Sequence, residues 1–225
     1  MLESALVSDY RKGIPGGLTV VSTRPEHAAQ LQELQDLCFP TLAVEQRFRA
    51  PHYLKHIELF PDGQFVVLDG ERVVGMTSTV RLDFDFEHPG HNFDDIIQGG
   101  WLTAHLPTGS WLYGADIGTH PEYRRRGIAK ALYVARHDTV RRLGLKGQVT
   151  VGMLPGYAKV KDTMSIREYY EGVKDGRLND PTVSAQMAVG FEVRGLMQNY
   201  LDDPVCDNSG ACLVLPAERS VRGAE

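Results

Sequence analysis

Positive charge is in short supply. The 225 residues hold 24 Lys and Arg against 29 Asp and Glu, a formal net charge of −5 at pH 7. A general binder of nucleic acid or of an anionic membrane needs the opposite balance, so neither is an expected partner. Cysteine is scarce too. Cys38, Cys206 and Cys212 are too few and too scattered for a disulfide scaffold or a four-ligand zinc site, although Cys206 and Cys212 are spaced to pair across a loop. No stretch reaches the apolar length of a membrane span. The N-terminal MLESALVSDYRKG places Glu3 and Asp9 where a secretory signal needs a basic start and an unbroken apolar run. A cytoplasmic protein with free thiols is the expectation. Internal repeats and low-complexity segments are absent, and 42% hydrophobic with 24% charged residues is an ordinary globular balance, which excludes disorder throughout.

The elements follow from periodicity and turn chemistry. Residues 18–22 (LTVVS) read as a first strand, and the Gly-Ile-Pro-Gly-Gly run before them as a loop. Pro25 suits a first helical turn, and Ala28, Leu31, Leu34 and Leu37 recur at helical spacing, predicting a helix over 25–37. A second helix is expected over 44–59, closed by Phe60-Pro61-Asp62-Gly63. Residues 64–68 and 72–82 form a hairpin about Asp69-Gly70-Glu71. Residues 83–100 are polar, acidic and aromatic without a clear period, a long excursion. Strands are expected over 110–119, 148–153, 191–201 and 211–215. Helices are expected over 127–143, 165–173 and 181–189, with Gly190 as the last stop, and a loose tail ends the chain. This order gives a mixed α/β or α+β fold in one domain, residues 1–225 with a core of about 18–215, containing a strand–helix–strand unit over 110–153.

Chemistry concentrates in residues 117–132, IGTHPEYRRRGIAKAL. A strand ends, Pro121 forces a turn, three arginines follow, and Gly127 opens the long helix. The first amides of a helix have no partner inside it and carry a partial positive charge, so a phosphate placed there accepts several backbone hydrogen bonds. A β-carbon at Gly127 would obstruct a phosphate oxygen, and Ala129 is small for the same reason. Arg124, Arg125 and Arg126 add attraction and charge-assisted bonds. Neither Gly-x-x-x-x-Gly-Lys-Ser/Thr nor Gly-x-Gly-x-x-Gly is present, so nucleotide hydrolysis and a dinucleotide fold lose their main signatures.

The run Arg124-Arg125-Arg126-Gly127-Ile128-Ala129, placed after a strand and at a helix start, matches Arg/Gln-x-x-Gly-x-Gly/Ala and resembles the GNAT superfamily of N-acetyltransferases. His120-Pro121-Glu122-Tyr123 looks like that family's lead-in. The hairpin FVVLDGERVVGMTST resembles its second and third strands, and Ala188-Val189-Gly190-Phe191-Glu192 its late helix end and sixth strand. The likeness is greatest to GNAT modules fused to carbon–nitrogen hydrolases, judged from the acidic excursion and Pro155-Gly156-Tyr157. It implies a mixed, mostly antiparallel sheet flanked by helices, with two parallel strands (110–119 and 148–153) splayed apart. Acetyl-CoA would lie in that wedge as co-substrate, its pantetheine arm beside Ile117, Gly118 and Thr119. Its pyrophosphate would rest on the amides of residues 125–129, with Arg124, Ile128 and Asn179 also at the cofactor.

Acetyl transfer to an amine needs a free amine, a donor at the developing oxyanion and a proton for the departing thiolate. Asp116, on the cofactor strand, is the first candidate for the base or for holding a cationic amine, and His120 is the second. Gln186 stands where many members of the family have a tyrosine that protonates the thiolate. Tyr157, Tyr169 and Tyr170 are the alternatives, Tyr157 favoured because it follows the strand end; proton return through water is also open. Residues 83–95, DFDFEHPGHNFDD, hold Asp83, Asp85, Glu87, His88 and His91, whose spacing follows no familiar ligand pattern, so no metal is expected. Asp83 and Asp85 would instead form an acidic rim drawing in a small cationic amine, with Glu45, Arg47 and Arg49 along the acceptor wall. The expected protein is a monomer or homodimer. Two rivals remain: a non-catalytic acyl-CoA-binding or regulatory module, permitted by Gln186, and a nucleic-acid binder built on residues 124–126 with Arg141 and Arg142, opposed by the acidic net charge.

Overall fold

The computed structural model describes residues 9–86 and 91–224. Its strands are β1 (Arg11–Ile14), β2 (Leu18–Ser22), β3 (Phe65–Asp69), β4 (Arg72–Leu82), β5 (Trp111–Thr119), β6 (Gly147–Met153), β7 (Glu192–Met197) and β8 (Gly210–Pro216). Its helices are α1 (Ala28–Cys38), α2 (Ala50–Leu59), α3 (Phe93–Ile97), α4 (Ile128–Arg142), α5 (Ile166–Lys174) and α6 (Val183–Ala188). The strands form one sheet in the order β1-β2-β3-β4-β5-β6-β8-β7. Every neighbouring pair is antiparallel except β5 and β6, which run parallel and are joined through α4. The architecture is the mixed α/β sheet that the motif order implies.

Alternation along the strands assigns the two faces. Val20, Phe65, Val67 and Val74 meet Ile128, Ala131, Leu132 and Ala135 of α4. Val21, Val66 and Met76 belong to the core that includes Leu31 and Leu34 of α1 and Tyr53 of α2. Each buried Val, Leu, Ile, Phe or Met among them contributes about 1.5–3 kcal/mol by leaving water, so the helices are held to the sheet by these stripes. Gly70, at φ 60°, makes the β3–β4 turn that a residue with a β-carbon would strain.

The structure corrects four expectations. Residues 11–14, expected to lie before or within a loop, form edge strand β1, which pairs with β2 across a turn containing Gly16 and Gly17 at positive φ. The helix expected over 44–59 is split into a 3-10 turn at Val44–Gln46 and α2, because Pro51 belongs in a first helical turn and not in an interior. The excursion over 83–100 contains α3, capped by Asn92, and its Phe84, Phe86 and His91 stack with Trp111 and Tyr113 of β5 instead of standing in solvent. The chain end is not loose over its described part: Val221 is 4% exposed, and the Arg222 amide donates to the Val189 carbonyl at 2.9 Å. Cys38, Cys206 and Cys212 are free thiols.

Candidate functional site

The site begins as a defect in the sheet. Strand β5 carries one extra residue, Ala115, where Gly114 opposes Thr79 and Asp116 opposes Ser78 on β4. Such a bulge bends its strand and re-aims the following side chains. Beyond it, β5 and β6 part. They pair only at Leu112–Gly114 with Gln148–Thr150, while β4 follows β5 to Thr119 and β8 follows β6 to Met153. A wedge therefore opens between the last residues of two parallel strands. The His120 amide donates to Val74 on β4 at 2.9 Å, and alternation turns the amides of Ile117 and Thr119 the other way, to the open edge. Gly118 sits between them, where a β-carbon would run into Met76 and the Cys38 thiol.

The turn from β5 to α4 stands at the mouth of this wedge. Arg125 has φ 64° and Gly127 φ 81°, and such alternation turns successive amides toward one concavity. Among the described residues, no hydrogen bond occupies the amides of residues 125–129; the first amide of this helix with a backbone partner outside it is Ala131, which donates to the Gly127 carbonyl at 2.9 Å. A β-carbon at Gly127 would have no atom within 4 Å, so the cradle opens outward. Arg124, Arg125 and Arg126 are exposed around it, and Arg126 stacks on Tyr123 at 4.7 Å. An anionic group such as a diphosphate fits this donor set.

Asp116 lies on the other side of the bulge, 7% exposed. Its Oδ1 accepts from the Ser78 amide at 2.5 Å, and its Oδ2 is buried without a hydrogen-bond partner. Burial pushes the carboxyl up to about 6, with the Ser78 amide and the charge of Arg136 opposing. Across the sheet, Arg136 of α4 is fully buried: its guanidinium donates to the Asp116 carbonyl and, at 2.7 Å through Nε, to the Thr77 hydroxyl. A β-carbon at Gly114 would overlap that guanidinium. Burial pushes the Cys38 thiol beside Gly118 up to about 12. Nothing in the sequence pattern singled out Arg136, because an arginine inside a helix reads as a solvated one.

The remaining candidates are scattered. His120 caps the turn, with Nδ1 accepting from the Glu122 amide at 3.3 Å and Nε2 beside Arg72 at 3.0 Å. Tyr157 is 7% exposed on the 3-10 turn after β6, packed on Tyr169. Asn179 is exposed; its neighbour Asp180 does the local work, accepting from Gly156, Tyr169, Thr182 and Val183. Asp83 accepts from the Ser110 amide and hydroxyl, which depress its carboxyl, and so clamps the start of β5, the end away from Thr119. Asp85 is exposed near it, and Glu45 is exposed on the turn before α2. Arg47 and Arg49 are not an open wall: both bond Asp36, and Arg47 also donates to carbonyls of α1's exit loop. Glu87 and His88 lie outside the described residues, and among those described no three His, Cys, Asp or Glu side chains are grouped to hold a metal. No described helix is long and apolar enough to cross a membrane.

A parallel pair that parts beside a helix start with uncommitted amides defines an α/β fold of the acyltransferase type. The chain belongs to the acetyltransferase (GNAT) family, whose family model matches residues 28–153. It is 36% identical over 182 residues to "Probable hydrolase YhcX" of Bacillus subtilis (strain 168), a match covering 81% of this chain but 35% of that protein. It is 29% identical over 214 residues to "Uncharacterized N-acetyltransferase YkwB" of the same organism, covering 95% of this chain and 94% of the relative. Among solved structures, the GphF GNAT-like decarboxylase in complex with isobutyryl-CoA superimposes with a TM-score of 0.75 at 20% identity, covering 88% of this chain and 99% of that one.

Proposed function

We propose that this protein transfers an acetyl group from acetyl-CoA to a primary amine of a small cationic molecule. The observation that carries this reading is the set of unoccupied amides over residues 125–129, set beside the open edge of β5. Those amides, with Arg124, Arg125 and Arg126, would hold the diphosphate, and the Ile117 and Thr119 backbone would pair with the pantetheine amides across Gly118. Ile128 and Ala129 leave room at the helix start, and Asn179 would reach the cofactor from the loop before α6. Acetyl-CoA supplies the activated thioester.

Asp116 would take the proton from the ammonium. A carboxyl titrating near 6 is largely ionised at neutral pH yet basic enough to accept a proton in transit. Glu45, Asp83 and Asp85, all exposed, would attract a cationic acceptor from outside; the Ser110 bonds fall on Oδ1 of Asp83 alone and keep its carboxylate charged. His120 would serve as a positioning residue of the turn, its Nδ1 accepting from the Glu122 amide and its Nε2 lying against Arg72 of β4. Tyr157 would line the acceptor side.

Titration calorimetry with acetyl-CoA, followed by release of free CoA thiol on mixing with a panel of amines, tests the reading. Binding with turnover of at least one amine supports it. Binding without turnover of any amine would favour the non-catalytic module, and absence of binding would overturn both.

A further inference from the structure

On the α4 face of the wedge a second buried polar group stands opposite Asp116. Tyr133 is 4% exposed, and the Gln186 amide donates to its hydroxyl at 2.9 Å. That bond uses the phenol as acceptor. Among the described residues its own proton has no acceptor. Gln186 is 3% exposed, and its Oε1 is buried without a partner. It comes down on Gly152, where a β-carbon would collide with it. Gly152 lies two residues past Thr150, the last residue of β6 that pairs with β5, and Asp116 lies two past Gly114 on the facing strand. The amide and its phenol thus stand over the level of the wedge at which Asp116 stands on the reverse face. Arg136 lies 5.5 Å from the Tyr133 ring and links the two sides through the Asp116 carbonyl.

We propose that Tyr133 is the acid of the reaction, delivering its phenolic proton to the sulfur as the thioester carbon–sulfur bond breaks. The inference rests on the acetyl-transfer reading above. The ammonium gives one proton to Asp116, and the neutral nitrogen bonds to the acyl carbon. When the intermediate collapses, the carbon–sulfur electron pair goes to sulfur and Tyr133 protonates it. The second proton lost by the nitrogen then restores the phenol through water. Two features stabilise the transient phenolate: the Gln186 N–H already aimed at its oxygen and the buried Arg136 charge beside its ring. Burial raises the phenol's pKa, and Arg136 and Gln186 oppose that rise. Gln186 has no acidic proton to offer, so its part is to hold the phenol.

Tyr133→Phe keeps the ring and removes only the hydroxyl, and three probes separate the possibilities: acetyl-CoA, CoA and desulfo-CoA, which lacks the sulfur. Calorimetry of the full chain is expected to give unchanged affinity for acetyl-CoA and desulfo-CoA but about five- to tenfold weaker binding of CoA, the loss of one hydrogen bond to sulfur. With any amine the wild type acetylates, kcat should fall on the order of 10²-fold with KM unchanged. An unchanged ratio of CoA to desulfo-CoA affinity overturns the assignment. Should wild-type protein bind none of the three, the acetyl-CoA reading fails first and this assignment with it. If Tyr133→Phe does not fold, Gln186→Leu replaces it: kcat is expected to drop about tenfold at unaltered acetyl-CoA affinity, and unaltered kcat overturns the proposal.

Discussion

The guanidinium of Arg136 donates to the main-chain carbonyl of Asp116, so a buried cation on one face of the sheet is tied to a buried carboxyl on the other. The tie passes through the bulge at Ala115, the point from which β5 and β6 separate. One contact therefore bears on the shape of the wedge and on the acidity of the group proposed as base. The groups packed around that carboxyl are Tyr53 from α2, the Ser78 amide from β4 and Arg136 from α4, with Cys38 of α1 close by.

Asp116→Asn should stabilise the protein while disabling it. A carboxyl held near 6 instead of 3.8 is protonated more readily in the folded state than in the unfolded chain. The contribution of this carboxyl to stability is then most favourable below about 4 and falls as the pH rises through 4 to 6, with a cost of about 3 kcal/mol above that window. Asparagine keeps an oxygen for the Ser78 amide and cannot ionise. Denaturant melts at pH 7 and pH 4 should show the variant gaining up to about 3 kcal/mol at the higher pH only, with kcat reduced on the order of 10²-fold. Equal gains at both pH values would show that ionisation is not the cause.

Arg136→Met should move the titration of Asp116 upward. A positive charge nearby favours the ionised carboxyl, so its removal is expected to raise the apparent pKa by about one unit. Carbon-13 NMR of the Asp116 carboxyl in cofactor-free protein reads this directly, without any assay of turnover. A carboxyl still titrating near 6 would detach Arg136 from the chemistry and leave it a packing residue.

Gly127→Glu should abolish acetyl-CoA binding without unfolding the chain. The position has φ 81° and open space where a β-carbon would go, so the folded protein loses only about 1–2 kcal/mol to backbone strain. The bound diphosphate would meet both bulk and negative charge. Gly127→Ala supplies the graded case, with bulk alone. Calorimetry is expected to rank wild type above Ala above Glu, and unaltered affinity in the glutamate variant removes the cradle.

What the sequence makes legible here is local. Strand, proline turn, arginines and Gly127 lie within sixteen residues, and the geometry of a helix start follows from that order alone. Edge strand β1 escaped because Arg11 and Lys12 face solvent on a strand with one neighbour, which leaves no apolar alternation to read. The break before α2 had a signal in Pro51, outweighed by the apolar spacing around it. Tyr133 and Arg136 escaped for a different reason. They lie beside the Ile128–Leu132–Ala135 stripe of α4, and only the glycines at 114 and 152 on the facing strands create the depth that buries their polar ends or those of their partners.

Asp180 gives a prediction in which structure alone is at stake. Its carboxylate accepts from the Gly156 amide at 2.9 Å, the Tyr169 hydroxyl at 3.1 Å, and the Thr182 and Val183 amides at 2.8 and 3.0 Å. It therefore caps α6 and joins it to the turn after β6 and to α5. Each bond to a charged acceptor is worth roughly 1.5–3 kcal/mol, and removal strands four donors at a residue 1% exposed. Asp180→Ala should lower stability by on the order of 4 kcal/mol, and Asp180→Asn, which keeps one good acceptor, by about half as much. Because α6 carries Gln186, the alanine variant should also loosen the Tyr133 hydroxyl: hydrogen exchange of residues 183–188 is expected to speed up with the stability loss, whereas exchange in α1 follows global unfolding only. Unchanged protection in α6 would mean that its helix is held by packing and not by the cap.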